Sequence, residues 1–549
     1  MVVWLLVDPR TPDLAAQVYR AGLFDHLGFA VWDEHWYAGH ALPGYSLLFA
    51  PLASLLGLRV LAALSVLASA TLFERLVRAV YGPSARWGAA WFAVAAVGDI
   101  WIGRLTFALG VSFAVAAVLA LVSGRPRWAG VLAALCAAAS PLAAVLLGLA
   151  ALTHALARRS PRALLALAVP GAAVAVPLAL LFPEGGFEPF PIVSFVATVL
   201  VTLLFLWALP RGARLLRTGG VVYLFACILA LLIHTPMGSN IERYAVLLAG
   251  PLLLCALAGG RRSLGAEEIR SVEGGASLGA GAGIVGMPGA RAGPVLRGRF
   301  AAATSLALLA IAVFVVWGPV RETEAVAGNE STRASYYAPL ERFLARVAAA
   351  PAAPVRVEVP LTRSHWEAAL LAPSVSLARG WEKQLEEKYD GVLLKPGLSA
   401  AGYSRWLHEQ AVSYVALPDT PLDPSSAQEG WLIRRGLPYL RVVFTSRHWR
   451  VYAVRGATGL LEGPGRLTAL GQDSFALRAA APGRFLVRVR YTRYWTVIAG
   501  AGCVAQAPGG WTYVTASQPG ELRVAARFSI GRALGLGDYC RGASANKAS

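Results

Sequence analysis

The sequence predicts a polytopic α-helical membrane domain over residues 1–320, then an extracytoplasmic α/β module over 321–457 and a small β-sandwich over 458–540. The mean hydropathy is +0.56 and 56% of the 549 residues are hydrophobic, values typical of proteins with many membrane spans. After Trp317 charged residues, Pro and Trp become frequent, and apolar runs shorten to strand length. The chain therefore divides into a membrane half and a second half of soluble character.

The membrane half contains one short and nine long apolar stretches. MVVWLLV at the start has only seven residues, too few for a bilayer core that needs about twenty. We interpret it as the outer end of a span whose beginning is missing, as when a start codon is assigned too late. The long stretches are 57–80, 88–103, 105–122, 129–157, 163–182, 190–209, 218–235, 244–259 and 300–319.

The distribution of arginine along the chain predicts the membrane topology. The formal net charge is +19, but the arginines cluster in short loops between apolar stretches, which indicates cytoplasmic loops and not nucleic-acid binding. This placement requires both ends of the segment 129–157 to lie on the cytoplasmic side of the membrane. Ser140-Pro141 in its middle provides the break for a re-entrant hairpin of two half-length helices. We expect about 10–11 membrane helices, with the Asp8–Tyr45 loop and everything after Val320 outside the cell. The Gly-rich segment Gly260–Gly298 is then a flexible cytoplasmic linker.

The second half shows strand patterns. Strands are predicted at 355–359, 412–417, 441–445 and 449–454, with helical patterns between them. From Leu467 on, alternation dominates: Phe485, Val487, Val489 and Tyr491 share one face, while Leu486, Arg488 and Arg490 share the other, as in an antiparallel sandwich. Cys503 and Cys540 lie in this region, and a disulfide between them is predicted if the region is extracytoplasmic. The tail 541–549 is expected to be disordered.

The Asp8–Tyr45 loop differs from its apolar surroundings. It contains five acidic residues, three of the eight histidines, and the aromatics Trp32, Trp36 and Tyr37. Because the hydrocarbon core tolerates ionisable groups poorly, a polar loop between spans is where chemistry would be placed. The alternative is a solvated connector. The sequence has no Walker phosphate-binding loop and no HExxH motif, which counts against nucleotide-driven transport and zinc-dependent hydrolysis.

Several stretches resemble integral-membrane glycosyltransferases of the GT-C superfamily. The loop with Asp8 and Asp13 is followed by WDEHWYAGHALPGYSLLFAPLASLLG, and the later stretches are GSNIERYAVLLAGP, RGWEKQ and YSRWLHEQAVSYVALP. The resemblance is to the bacterial, polyprenyl-phosphate-sugar-dependent branch. It implies a GT-C-like membrane domain, a lipid-linked sugar donor, and a first-loop carboxylate as general base. Asp13 matches that position best, and Asp8 is the second candidate.

Other candidate site residues follow from their chemistry. Arg243 and Arg104 lie at predicted outer ends of spans, where a guanidinium suits a leaving phosphate; the alternative for each is snorkelling to the interface. Asp99 is positioned to pair with Arg104. The remaining candidates are sugar- or acceptor-binding residues of the first loop: Trp32, Asp33, Glu34, Trp36, Tyr37 and His40.

Those first-loop candidates each have a structural alternative. The aromatics could stack on a sugar or form an interfacial belt. Asp33 and Glu34 could hold a divalent cation, the one cofactor suggested, although adjacent loop carboxylates are more often solvated. No metal-ligand spacing is found in the sequence.

The predicted function is inverting glycosyl transfer from a polyprenyl-phosphate sugar to an envelope glycan or lipid acceptor, on the outer face of a bacterial plasma membrane. Partners would be the lipid-linked donor, the acceptor and membrane lipids, and no nucleic acid. Two alternatives are a transporter or flippase, and a non-catalytic membrane-anchored envelope-assembly protein. No internal repeat is found in the membrane half, and charged residues concentrate in outer loops, which disfavours the transporter.

Overall fold

The computed structural model describes residues 1–273, 294–349, 354–537 and 539–540. The predicted succession of a helical membrane domain, an α/β module and a β-sandwich is confirmed. Residues 274–293 of the linker predicted at Gly260–Gly298 lie outside the described residues, as does the predicted disordered tail, whereas the two ends of that linker are helical.

The membrane half is built from helices. They are α1 (Val2–Val7), α2 (Pro12–Leu27), α3 (Phe49–Leu56), α4 (Leu58–Tyr81), α5 (Arg86–Trp101), α6 (Leu105–Val122), α7 (Pro126–Ala139), α8 (Pro141–Arg158), α9 (Val169–Leu181, continuing from a π-helical turn at Leu164–Ala168), α10 (Ile192–Ala208), α11 (Arg214–Leu232), α12 (Glu242–Glu273) and α13 (Pro294–Val326). Two short strands, β1 (Trp32–Asp33) and β2 (His40–Ala41), pair antiparallel in the first loop.

Seven stretches of the described chain are helical, long and apolar enough to cross a membrane. They are Leu58–Tyr81, Leu105–Val122, Pro141–Arg158, Leu164–Leu181, Arg214–Leu232, Gly238–Ala258 and Thr304–Val326. The chain is thus a multi-pass membrane protein. The rest of the predicted 10–11 membrane helices include shorter ones, since α5, α7 and α10 have only 16, 14 and 17 residues. At 1.5 Å per residue these helices are shorter than a hydrocarbon core of about 30 Å.

The predicted break at Ser140-Pro141 is confirmed. Ser140 caps α8, since its Oγ accepts the N–H of Ala143 at 3.3 Å, and Pro141 occupies the first helical position, where a missing N–H costs nothing. The prediction of two half-length helices is wrong for α8, which has 18 residues. The carbonyl of Ala138 accepts the N–H of Leu47 at 2.8 Å, so the bend between α7 and α8 lies against the first loop.

The α/β module holds helices α14–α19 and strands β3–β7. In chain order these are α14 (Ala334–Ala349), β3 (Arg356–Glu358), α15 (Glu367–Leu370), β4 (Ser376–Leu377), α16 (Lys383–Tyr389), α17 (Gly391–Leu394), α18 (Ala400–Glu409), β5 (Val412–Pro418), α19 (Ala427–Arg435), β6 (Leu440–Thr445) and β7 (Trp449–Val454). The sheet order is β4-β3-β5-β7-β6, with β3 parallel to β4 and β5, and β7 antiparallel to β5 and β6.

The sandwich consists of two four-stranded antiparallel sheets. Its elements are β8 (Leu461–Glu462), β9 (Gly465–Leu470), β10 (Ser474–Ala479), β11 (Gly483–Arg490), β12 (Trp495–Ala499), β13 (Gly502–Gln506), β14 (Trp511–Ala516), β15 (Gly520–Ala526) and the short helix α20 (Ile530–Ala533). The sheet orders are β12-β15-β10-β9 and β13-β14-β11-β8. As predicted from the alternation, Phe485, Val487 and Val489 are buried in the shared core. The predicted Cys503–Cys540 disulfide is present, with 5.1 Å between the Cα atoms.

Both modules lie at the end of the membrane domain that carries the first loop, called here the loop end. Trp366 of the α/β module donates its Nε1–H to the carbonyl of Arg10 at 3.0 Å. Tyr494 of the sandwich donates its hydroxyl to the carbonyl of Leu181, at the end of α9, at 2.8 Å. The first loop, α/β module and sandwich therefore share one side of the membrane domain.

Candidate active site

The start of α2 places Asp13 beside the turn between α5 and α6. Thr11 precedes the helix and donates its hydroxyl to the carbonyl of Trp101 at 3.0 Å. Gly103 in that turn has φ +97°, and a Cβ there would collide with the backbone of Leu14. This close approach brings the first turn of α2, with Asp13 in it, next to Arg104.

Arg104 lies between two carboxylates. Its Nε is 3.6 Å from Oδ2 of Asp13, and its Nη1 is 3.5 Å from Oδ1 of Asp99. The predicted Asp99–Arg104 pair is therefore confirmed. The Asp99 side chain is only 3% exposed, whereas those of Arg104 and Asp13 are 25% and 33% exposed. Asp99 thus holds the Arg104 guanidinium from its buried side, while Asp13 and Arg104 remain accessible to a ligand.

Arg243, near the start of α12, completes this group. Its Nη2 donates to Oδ1 of Asn240 at 2.6 Å, and its Cζ is 5.2 Å from the ring centroid of Phe107. Its charge interacts with those of Arg104, Asp99 and Asp13. Asp13, Asp99, Arg104 and Arg243 are called here the charged cluster. The structure brings together both arginines and the first carboxylate that the sequence singled out, from three separate stretches of chain.

Both arginines keep donor capacity. Within the described part of the chain, the Nε groups of Arg104 and Arg243 are buried and have no hydrogen-bond partner, and the Nε of Arg104 approaches the Asp13 carboxylate only at ion-pair distance, 3.6 Å. A buried donor without a partner costs on the order of 1–3 kcal/mol, and two such donors from neighbouring guanidinium groups suit the oxygens of a phosphate.

Glu188 is a neighbour that the sequence analysis missed. It lies in the loop between α9 and α10 and accepts the hydroxyl of Ser239 at 2.9 Å. Gly238 (φ +35°) packs so closely on the Glu188 carbonyl that a Cβ would overlap it. Burial raises the pKa of Glu188, while the charges of Lys383 and Arg243 oppose the rise. The sequence signal was a pair of acids, Glu184 and Glu188, in a short loop between two apolar stretches.

Asp8, the second candidate for the base, lies elsewhere. It follows α1 with φ +46° and forms an ion pair with Arg59 at the start of α4. No described contact joins it to the charged cluster.

The six first-loop candidates for sugar or acceptor binding are all buried. Tyr19 donates its hydroxyl to Asp33 at 2.9 Å, and the N–H of His35 donates to the same carboxylate at 3.1 Å. Burial raises the pKa of Asp33 to about 7 and lowers the pKa of His40 to about 3. The loop side chains are therefore enclosed by protein and do not form an open surface, although Trp32 Nε1, Glu34 Oε2 and His40 Nε2 have no hydrogen-bond partner among the described residues.

The aromatic side chains of this loop serve as packing. Trp36 is fully buried, stacks on Tyr19 with 4.6 Å between ring centroids, and donates Nε1–H to the carbonyl of Ala368 at 3.1 Å. Tyr37 exchanges two hydrogen bonds with the backbone of Glu382, at 2.9 and 3.1 Å. Trp32 packs in the sandwich core. The expected sugar-stacking platform is thus replaced by a joint between the first loop and the two C-terminal modules.

The first-loop carboxylates do not fit a divalent-cation site. Oε1 of Glu34 accepts Nη2–H of Arg356 at 2.5 Å and the hydroxyl of Ser376 at 3.2 Å, and Asp33 is occupied by Tyr19 and His35. Across the described residues, no group of three or more His, Cys, Asp or Glu side chains has the geometry to hold a metal ion.

Comparisons with known proteins gave likenesses only among solved structures. No family model and no curated protein matches the chain. The chain is similar to ArnT from Cupriavidus metallidurans in the apo state, with 15% identity and a TM-score of 0.45, over 83% of this chain and 97% of that one. It is also similar to the same protein bound to undecaprenyl phosphate, with 14% identity and a TM-score of 0.44 over the same shares. Both likenesses concern the overall fold.

Proposed function

We propose that the protein transfers a sugar from a polyprenyl phosphate to a hydroxyl of an envelope glycan or lipid, on the outer face of the plasma membrane. The observation that carries this proposal is the charged cluster. A partly exposed carboxylate lies beside two arginines with unused donors, at the end of membrane-spanning helices. The GT-C resemblance of the sequence indicates the same chemistry.

The two arginines suit the phosphate of the donor. A polyprenyl phosphate reaches the protein from the bilayer, so its phosphate lies at the boundary between lipid and water. Arg104 precedes α6 and Arg243 begins α12, and both positions belong to that boundary. Asp99 and Asn240 hold the two guanidinium groups in place. In this proposal the arginines bind the bridging phosphate and stabilise the charge that it gains on leaving.

Asp13 is then the general base. The acceptor hydroxyl oxygen attacks the anomeric carbon, and the bond from that carbon to the phosphate oxygen breaks. The hydroxyl proton passes to the carboxylate of Asp13, and polyprenyl phosphate leaves with the bonding electron pair. One displacement inverts the anomeric centre. Asp8 takes no part in this step, since its partner is Arg59.

The topology proposed is that the loop end faces out of the cell. The opposite helix ends carry Arg78, Arg125, Arg158 and Arg211–Arg217, and clustered arginines favour the cytoplasm. The first loop, α/β module and sandwich would then all be extracytoplasmic. The N–H of Phe187 donates to the carbonyl of Gln384 at 3.3 Å, so the α/β module contacts the loop that carries Glu188 and would shape the acceptor side.

The deciding experiment compares Asp13→Asn with Asp25→Asn in purified protein given a polyprenyl-phosphate sugar and envelope lipid. Asp25 belongs to the same helix but is exposed and lies near its other end. Positioned acid–base groups contribute on the order of 10²–10⁴ in rate, so Asp13→Asn should lose about that factor, while Asp25→Asn should match the native protein. Native rates in Asp13→Asn would reject Asp13 as the base. If the native protein also transfers no sugar from any polyprenyl-phosphate donor, the anchoring or transport alternative takes precedence.

A further inference from the structure

The last described segment of the sandwich exposes a group of large apolar side chains. Phe528, Ile530, Leu534 and Leu536 are 49%, 72%, 68% and 77% exposed; together they are called here the C-terminal apolar patch. Contiguous exposed apolar side chains on a water-soluble module mark an interaction surface.

The patch is held rigidly by polar contacts. Arg532 donates from Nη1 to the carbonyl of Trp495 at 2.6 Å, and Arg493 donates from Nη1 to the carbonyl of Ala533 at 3.1 Å. Tyr539 donates its hydroxyl to the carbonyl of Arg493 at 3.2 Å, and Cys540 next to it is bridged to Cys503. The fold therefore presents these apolar side chains on a fixed scaffold.

The position of the patch identifies what covers it. Phe182, directly after α9, packs against Tyr494 and Phe528 in tilted arrangements, with ring centroids 5.2 and 5.9 Å apart. Leu181 and Leu180 end the candidate span Leu164–Leu181, and Leu180 is 68% exposed on its outer surface. The patch thus adjoins the exposed apolar surface of a membrane-spanning helix.

We propose that the C-terminal apolar patch inserts into the bilayer interface beside α9, and that lipid is its partner. Ile530, Leu534 and Leu536 would enter the boundary between headgroups and acyl chains. Arg527 and Arg493, which flank the patch and are at least partly exposed, would place their guanidinium groups at headgroup level, as basic side chains do at membrane surfaces. The sandwich is then a peripheral membrane module, fixed both by its contacts with α9 and by the lipid itself.

The test places a fluorophore on the patch in the full chain. Leu534→Cys is labelled with an environment-sensitive nitrobenzoxadiazole dye and reconstituted in nanodiscs of phosphatidylcholine and phosphatidylglycerol. Labelling is selective because Cys136, Cys227 and Cys255 are buried and the other two cysteines are bridged. Ile498→Cys is the matched control, since Ile498 is 52% exposed on the same sandwich but lies four residues beyond Tyr494, about 13 Å along extended chain.

The proposal predicts opposite quenching at the two positions. Spin-labelled lipid should quench most of the Leu534→Cys emission and aqueous iodide little of it, with the reverse for Ile498→Cys. Leu536→Cys provides a second position with the same expectation. The proposal is overturned if iodide quenches both patch probes as it quenches the control. It is also overturned if neither quencher reduces their emission, which is the result expected when another protein covers the patch.

Discussion

Glu34 and Arg356 form an ion pair, with 2.5 Å between Oε1 and Nη2, in which neither side chain is exposed to solvent. Arg356 also donates to the carbonyls of Gln410 and Arg488, both at 2.8 Å. One guanidinium thus joins the first loop to the α/β module and to strand β11 of the sandwich. The position of the first loop depends on this contact.

We expect Glu34→Gln to destabilise the protein strongly. Removing one partner of a buried pair leaves the other charge uncompensated, which costs about 3–5 kcal/mol. Glu74→Gln is the matched control, because Glu74 pairs with Arg78 on the exposed face of α4 and such pairs contribute about 0.3–0.5 kcal/mol. The measurement is the free energy of unfolding in detergent with increasing denaturant. Equal, small losses in the two variants would show that the joint does not depend on this pair.

Arg243→Ala should weaken donor binding and turnover together. The phosphate is bound before the transfer, so the lost interaction raises KM, and the phosphate gains charge as it leaves, so the stabilisation lost in the transition state also lowers kcat. Hydrogen bonds to charged groups contribute about 1.5–3 kcal/mol, which corresponds to about 10- to 100-fold in kcat/KM. Arg59→Ala is the control, since Arg59 is at the loop end but pairs with Asp8. A kcat/KM unchanged in Arg243→Ala and reduced in Arg59→Ala would move the donor phosphate to the Asp8 side.

The α/β module should lose stability as the pH rises from about 4.5 to about 8. Burial, with help from the charge of Asp390, raises the pKa of Glu386 from 4.5 to about 8. Over this range the folded state keeps a proton that the unfolded state has released, so the stability gained at low pH is lost as the pH passes the folded-state pKa. One pKa unit corresponds to about 1.4 kcal/mol, which makes the effect on the order of a few kcal/mol.

Glu386→Gln isolates this group. The variant should show a flatter dependence of unfolding free energy on pH and should exceed the native protein in stability near pH 8. Glu387→Gln, at the more exposed neighbouring position, should follow the native curve. Parallel curves for Glu386→Gln and the native protein would contradict the assignment.

The proposed topology can be checked in intact cells. A membrane-impermeant maleimide should label Asp25→Cys at the loop end but should reach Arg211→Cys only after the cells are opened. Both positions are exposed, so reactivity reports on the side of the membrane alone. Labelling of both variants in intact cells, or of Arg211→Cys alone, would overturn the orientation.

The sequence predicted those features that depend on local patterning. The strands at 412–417 and 449–454 appear within one residue of the expected bounds, because a short apolar run is typical of a strand with much of its length buried. The helix break at Ser140-Pro141 was predictable because proline acts locally. The lengths of α5, α7 and α10 were not predictable in the same way, since hydropathy does not show where turns shorten a helix.

The candidate site was predictable only in part, for a physical reason. Arg104 and Arg243 were found because each stands at the end of an apolar stretch, although only the fold shows that they meet beside Asp13 and Asp99. The first loop was misinterpreted because its polar groups have distant partners: Glu34 bonds to Arg356, 322 positions away. A buried polar joint and an open binding loop have the same composition, and only tertiary contacts distinguish them.

The first loop also constrains how the protein is made. The ribosome completes Tyr37 453 residues before Arg490, whose Nε donates to the Tyr37 carbonyl. At about 5–20 residues per second this interval lasts on the order of half a minute or more. Glu34 and Trp36 wait for Arg356 and Ala368, which are translated 322 and 332 residues after them, so their side chains stay uncovered until the α/β module has been made. The earliest synthesised loop is therefore among the last parts to reach its final environment, and a ribosome stalled before Arg356 would display a membrane domain with that loop still uncovered.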